Sequence, residues 1–266
     1  ALIEELITYG LAMVIGIVLG LIGGGGSILC VPIFVYIMGM GENIATAYSL
    51  FIVGAVALVG GLRYAVKKQV EWKTAIIFAI PAIPAVYLVR AYLMPSIPDE
   101  VMTVGSFVLT KGVLIMMVFA VVMVAAAISM IKGRKKSGDE SQEQRFNYPM
   151  IFVEGTLVGA LTGFVGAGGG FLIVPALVVL ARLPMKLAVG TSLLIIAAKS
   201  LIGFLGDLGN HPIDWTFLMI FTGIAIVGVF LGSIFNDKVP AGKLKQIFGW
   251  FVLIMAAFIM YQELLA

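Results

Sequence analysis

One cysteine, Cys30, and one histidine, His211, stand in 266 residues. A single thiol excludes an internal disulfide and a cysteine-rich metal site. A lone imidazole argues against a histidine-ligated metal centre, so neither metal nor cofactor is expected. Charge is scarce as well. Only 12% of residues are charged, where a soluble domain carries about 25%. The net charge of +3 is too small to argue for nucleic acid, and the basic residues sit between apolar runs. With 61% hydrophobic residues and a mean hydropathy of +1.13, this is an integral membrane protein whose solvent is lipid. The opening residues carry Glu4 and Glu5 where a secretory leader would be basic, so no leader is expected. Ala1 in place of Met points to a trimmed start.

Long apolar runs and glycine are what the chain has. A helix needs about 20 apolar residues to span a bilayer. Eight stretches meet or approach that length: 5–22, 44–65, 74–94, 104–131, 149–166, 187–206, 215–236 and 244–264. Two further pieces, 27–40 and 170–181, are about 13 residues long, roughly 20 Å as helix. Each follows a glycine cluster and has a proline near its start, Pro32 or Pro175. The fold class expected is an all-α polytopic membrane protein of eight long spans plus two short helices. The one polar segment, 132–147, separates a first half, 1–131, from a second, 148–266.

The two halves repeat. Residues 163–175 (GFVGAGGGFLIVP) match 20–32 (GLIGGGGSILCVP) at a constant offset of 143. The register continues without a gap through Ala45 and Ala188, Ser49 and Ser192, Gly60 and Gly203, and Trp72 and Trp215. Roughly twenty of the seventy-five pairs from Gly20 onward are identical, more than shared apolar composition gives.

Charge sets the expected orientation, because basic loops stay cytoplasmic. Arg63, Lys67, Lys68 and Lys73 form one basic segment, and the linker holds Lys132, Arg134, Lys135, Lys136 and Arg145. Both should face the cytoplasm, with Glu42, Asp99 and Glu100 outside. In the second half the bias reverses. The counterpart of 63–73 holds Asp207 and Asp214 and no Lys or Arg, while the counterpart of Glu42 lies near Arg182 and Lys186. Five segments per half is an odd number, so the second copy enters the bilayer upside down. Charge and count agree on an inverted-topology repeat. This places the protein in the plasma (inner) membrane with both termini outside and the linker cytoplasmic, and it puts Lys238, Lys243 and Lys245 inside.

A backbone leaves helical form within a membrane only where it is buried in protein or lines a watered cavity. Both glycine clusters therefore belong in the interior. Each also begins a helix, whose free N–H groups and positive dipole end point at the break. Two such ends converging make an anion site, and the alternative is that the glycines serve close helix packing. On the anion reading the substrate-binding residues are Gly23, Gly24, Gly25, Gly26 and Ser27 in the first copy and Gly166, Gly168, Gly169 and Gly170 in the second. Ser49, Thr191 and Ser192 supply hydroxyls one segment later. Lys199, about two thirds along its span with Val56 as counterpart, would attract an anion, or else snorkel to the headgroups. Lys111 has a weaker claim. Glu154, near the end of its span, is expected at solvent. Trp72 and Trp215 read as interfacial anchors.

The Val-Pro after each break, the Ala-Val-Gly-Thr-Ser at 188–192 and the Ile-Asp-Trp at 213–215 resemble the TauE/SafE sulfite-exporter-like permease family. The first half has the weaker forms Ala-Thr-Ala-Tyr-Ser at 45–49 and Val-Glu-Trp at 70–72. The likeness covers nearly the whole chain. It departs at Gly41, where the second copy has Pro184, and at Tyr48, where the second copy has Thr191. The resemblance implies a secondary transporter of small anions such as sulfite, sulfonates or related organic anions. Its partners would be that anion, the lipid bilayer and a coupling proton or cation. Two other readings stay open: a passive anion channel, and an intramembrane enzyme, for which the single histidine beside Pro212 is poorly placed.

Overall fold

The computed structural model describes residues 2–104, 107–132, 148–209 and 212–265. His211 and, Lys132 apart, the linker 132–147 lie outside the described residues.

Helix α1 (Leu2–Ile22) ends at Gly23, whose φ of +64° only glycine adopts without strain. The chain then reverses. A Cβ on Gly26 would strike the backbone of Val18 and Leu19, which in one straight helix would lie about 10–12 Å away along the axis. A 3-10 segment, Gly23–Leu29, leads through α2 (Cys30–Pro32) into a π turn, Ile33–Ile37. Pro32 has no N–H to continue an α ladder, which explains the wider turn that follows it. Met40 N then donates to Phe34 O at 2.9 Å across Gly39, whose φ is +65°. That bond closes seven residues, one more than the common helix C-terminal closure, in step with the π turn before it.

Helices α3 (Glu42–Val66) and α4 (Trp72–Leu88) follow; α4 runs on through a π turn, Val89–Leu93, and α5 (Met94–Ser96). The expected span 104–131 starts differently. Strands β1 (Glu100–Val104) and β2 (Phe107–Thr110) pair antiparallel, and α6 (Lys111–Lys132) begins only after them. Residues 107–110 (Phe-Val-Leu-Thr) are apolar enough to extend a hydropathy window, which does not distinguish strand from helix.

The second half runs α7 (Tyr148–Val165), a 3-10 segment Ala167–Leu172, α8 (Ile173–Pro175), a π turn Ala176–Leu180, α9 (Met185–Leu205), α10 (Trp215–Lys238) and α11 (Ala241–Leu265). The backbone of the first break recurs at the 143-residue offset. Gly166 has φ +84° where Gly23 has +64°, and Arg182 has φ +56° where Gly39 has +65°. Leu183 N donates to Leu177 O at 2.9 Å, as Met40 N does to Phe34 O.

Eight helices among the described residues are long and apolar enough to cross a membrane. Their packing is reciprocal between halves. α1 lies on α10 and α4 on α7, while α3 pairs with α9, α6 with α11, and the two 3-10 segments with each other. Lipid is as apolar as any side chain, so helices associate here through close contact at small residues. Gly16 lies against the carbonyl of Ala225, and Gly20 against that of Val229. Their counterparts Gly159 and Gly163 lie against the carbonyls of Ala82 and Val86, where an added Cβ would sit at 2.6 and 2.9 Å. The 143-residue offset relates all four contacts. α3 and α9 are the most buried helices, and they run beside both breaks. Outward faces present Leu157, Val121, Met219 and Ile254, as lipid contact requires.

Candidate functional site

The two breaks meet. A Cβ on Gly24 would come within 2.6 Å of the Gly170 carbonyl, and one on Gly170 within 2.9 Å of Ser27 Oγ. Ile196 of α9 closes the contact, since its Cδ1 lies 2.6 Å from the Gly24 position. Gly23 to Ser27 are all buried. Small residues are required here because backbone stands against backbone.

Polar groups at this junction come from α9 and from the breaks themselves. Gly24 N, one of the free donors at a helix start, gives its hydrogen to Ser192 Oγ at 3.2 Å. Ser192 Oγ in turn donates to Val189 O at 2.8 Å, and Ser27 Oγ donates to Gly24 O at 2.6 Å. Lys199 is fully buried, and its Nζ has no hydrogen-bond partner among the described residues. It follows Ser192 and Ile196 by seven and three residues, so it shares their helical stripe. Snorkelling is excluded, because a snorkelling lysine reaches water.

The structure thus brings together Gly23, Gly24, Gly26, Ser27, Gly170, Ser192 and the stripe carrying Lys199. Gly25 lies in the same turn but faces the ring of Phe248 on α11. Gly168 and Gly169 lie in the second 3-10 segment. Two expected residues stand apart. Thr191 accepts from Glu71 N at 2.9 Å and donates to Leu187 O at 2.7 Å, so it serves the start of α4. Ser49 is buried beside the Cys30 thiol, with no oxygen or nitrogen partner for its hydroxyl. Glu154 departs from expectation: it is 9% exposed, and its Oε2 has no partner. α7 packs on α4 next to it, through Gly155 and the carbonyl of Phe78. Lys111 opens α6 and gives its ammonium to Met94 O.

One residue escaped the sequence reading. Arg90, in the π turn after α4, is 2% exposed. Its Nε donates to Asp207 Oδ2 at 2.8 Å, its Nη2 lies 2.7 Å from the same oxygen, and its Nη2 also donates to Thr46 Oγ1 at 3.2 Å. Nη1 reaches the Gly163 carbonyl at 3.4 Å. Thr46 touches the second break, since a Cβ on Gly166 would lie 2.7 Å from Thr46 Cβ. The available signal was an arginine inside the apolar run 74–94, which by position alone marks a functional candidate.

The family profile described as "Sulfite exporter TauE/SafE" matches residues 8–259. The chain is 33% identical over 263 residues to a "Probable membrane transporter protein" of Xylella fastidiosa strain 9a5c, covering 97% of this chain and 95% of that one. It is 26% identical over 267 residues to the "Probable membrane transporter protein YunE" of Bacillus subtilis strain 168, covering 95% and 96%. No solved structure matches it.

Proposed function

The chain belongs to the sulfite exporter TauE/SafE family, and from that premise we propose that it carries small anions across the membrane, bound where the two glycine breaks meet. It is a multi-pass membrane transporter rather than an enzyme. The anion class is sulfite, sulfonates or related sulfur-containing or organic anions. The halves act as inverted repeats about an axis in the membrane plane, with both termini outside and the linker inside. The reciprocal packing of α1 on α10 and α4 on α7 supports this, because a two-fold axis turns one contact into the other.

The observation that carries the reading is Lys199: a buried amino group with no partner among the described residues, on the α9 stripe that faces both breaks. An uncompensated cation inside a membrane is costly, and an anion arriving beside it removes the cost. Free N–H groups at the two breaks add donors. Gly23 to Ser27 are buried, so an anion reaches them only when helices part. That favours an alternating carrier over a standing pore.

The test is uptake of radiolabelled sulfite and sulfoacetate into proteoliposomes. Wild type should saturate. Lys199→Met should abolish uptake and raise thermal stability by about 1–3 kcal/mol, since it removes an unpaired buried polar group. Lys199→Arg should retain part of the activity. Unchanged kinetics in both variants would remove Lys199 from the site.

A further inference from the structure

The packing of α7 on α4 buries two polar side chains that it does not satisfy. Glu154 on α7 is 9% exposed and Thr74 on α4 is fully buried. Neither Glu154 Oε2 nor Thr74 Oγ1 has a partner among the described residues. We propose that Glu154 is the proton site of the carrier: it takes up one proton with each anion bound at the breaks, so that a pH gradient drives the anion across the membrane. This rests on the anion reading given above.

The two helices pack in parallel. Gly155 lies against the Phe78 carbonyl, Gly159 against that of Ala82 and Gly163 against that of Val86. Glu154 adjoins the first of these contacts. Thr74 stands one turn before Phe78, on the stripe of Phe78, Ala82 and Val86 that meets α7. Two unpartnered polar atoms at one interface are what entering water satisfies. The same interface in the other half is apolar. The 143-residue offset takes Glu154 to Leu11 on α1 and Thr74 to Phe217 on α10, and both of these pack against the core. A leucine fills the position there, so close packing does not call for a carboxyl group. An ionisable group inside a membrane without a structural partner marks a functional site.

Position and charge connect Glu154 to transport. α7 runs on from it to Gly166, which opens the second break about 18 Å further along. A movement that parts α7 from α4 therefore moves the break and wets the carboxyl group together. When the helices close again, a buried carboxylate without a partner is costly, and forming an O–H bond removes the cost. The proton comes from water on one side and returns to water on the other, with no change at any other bond. An anion adds negative charge to an interior that already holds Lys199 and Glu154, and the proton offsets one unit of it.

Among the described residues, the charged groups on neighbouring elements are exposed or engaged elsewhere. α7 packs on α4, on the π turn Val89–Leu93, on α6 and on the second 3-10 segment. On α4, Lys73 is exposed with its ammonium 4.5 Å from the centre of the Tyr148 ring, and Tyr87 is exposed. In the π turn, Arg90 is paired with Asp207. On α6, Lys111 is held by Met94 O and Lys132 is exposed at the helix end. The 3-10 segment Ala167–Leu172 carries no titratable residue.

The experiment is uptake of radiolabelled sulfoacetate into proteoliposomes of the full chain, with the membrane potential clamped at zero and a pH step across the membrane. Sulfoacetate keeps its charge between about pH 5.5 and 8. Wild type should accumulate it on the alkaline side about tenfold per pH unit, the equilibrium for one proton per anion. An interior pH dye should record proton entry when the anion enters at equal pH. Glu154→Gln keeps the shape and cannot carry the proton. It should lose accumulation and proton entry while still exchanging labelled for unlabelled anion. If Glu154→Gln does not fold, Glu154→Leu, the residue of the other half, takes its place under the same expectation, and the wild-type ratio stands by itself. Wild-type uptake that ignores the pH step overturns the proposal, as does Glu154→Gln that still accumulates. Loss of exchange and accumulation together in monodisperse Glu154→Gln overturns it too, because a packing role predicts that result. Wild type that carries neither sulfoacetate nor sulfite overturns the anion reading, and this inference with it.

Discussion

Beside the first break the carbonyl of Gly20 receives a phenol, from Tyr64; beside the second, the carbonyl of its counterpart Gly163 receives a guanidinium, from Arg90. The two places share their backbone. Both breaks open on a positive-φ glycine and both short arms close through the same hydrogen-bond pattern. Their helices pack at small residues in matching positions. The side chains have diverged. Near Tyr64 the charges lie toward the surface: Arg63 Nε donates to Ser233 Oγ at 2.8 Å, and Lys67 pairs with Asp237 at 2.5 Å with side chains 26% and 44% exposed. Arg90 and Asp207 are only 2% and 5% exposed. Exposed pairs contribute little, whereas breaking a buried pair is strongly destabilising. The shape is common to both halves, and the chemistry is divided between them.

The largest expected effect tests the shared part. Gly16→Val and Gly159→Val each push a branched side chain into a facing backbone carbonyl. Both should lose about 3 kcal/mol or more, read as failure to recover monodisperse protein. Gly10→Val, with nothing within 4 Å of the added carbon, should behave as wild type. Tolerance at one of the two glycines alone would break the symmetry of the packing.

The divided part comes next. Arg90→Gln should cost about 3–5 kcal/mol in thermal or denaturant unfolding, because it removes the cation from a buried ion pair. Its counterpart Ser233→Ala should cost about 1–2 kcal/mol, the loss of an acceptor for Arg63 Nε and Lys67 Nζ near the surface. Equal losses would mean that the burial of the Arg90 pair has no energetic weight.

The smallest effect separates the repeat-related serines Ser192 and Ser49. Ser192→Ala removes the acceptor of Gly24 N and should cost about 1 kcal/mol. Ser49→Ala removes a hydroxyl without an oxygen or nitrogen partner and should be near neutral. A larger loss at Ser49 would assign it a role that the geometry does not.

Much of this was legible in the residues. The spans, the breaks and the offset are hydropathy and glycine patterns, which the bilayer imposes directly. Ser192, Ser27 and Lys199 were found because polarity inside an apolar run is conspicuous. Arg90 stands near the end of its run, where an arginine can equally reach the headgroups; only the fold reveals that Asp207 arrives from the far half to meet it. Thr191 was misplaced for a simpler reason. It neighbours Ser192 in sequence, but adjacent residues on a helix point about 100° apart, and its hydroxyl faces Glu71 instead. The hairpin 100–110 was hidden because hydropathy measures apolarity and not backbone form.

The reciprocal packing also sets a schedule for biogenesis. α1 and α4 emerge from the ribosome long before α10 and α7, the helices that cover their faces. Until then the faces of Gly16, Ala82 and Val86 lack the helices that later cover them. Lipid tails solvate such faces adequately, so the early helices can wait as separate inserted spans and dock later. Neither half completes its own interior, and the chain becomes a single folded body only when α10 and α11 have been made.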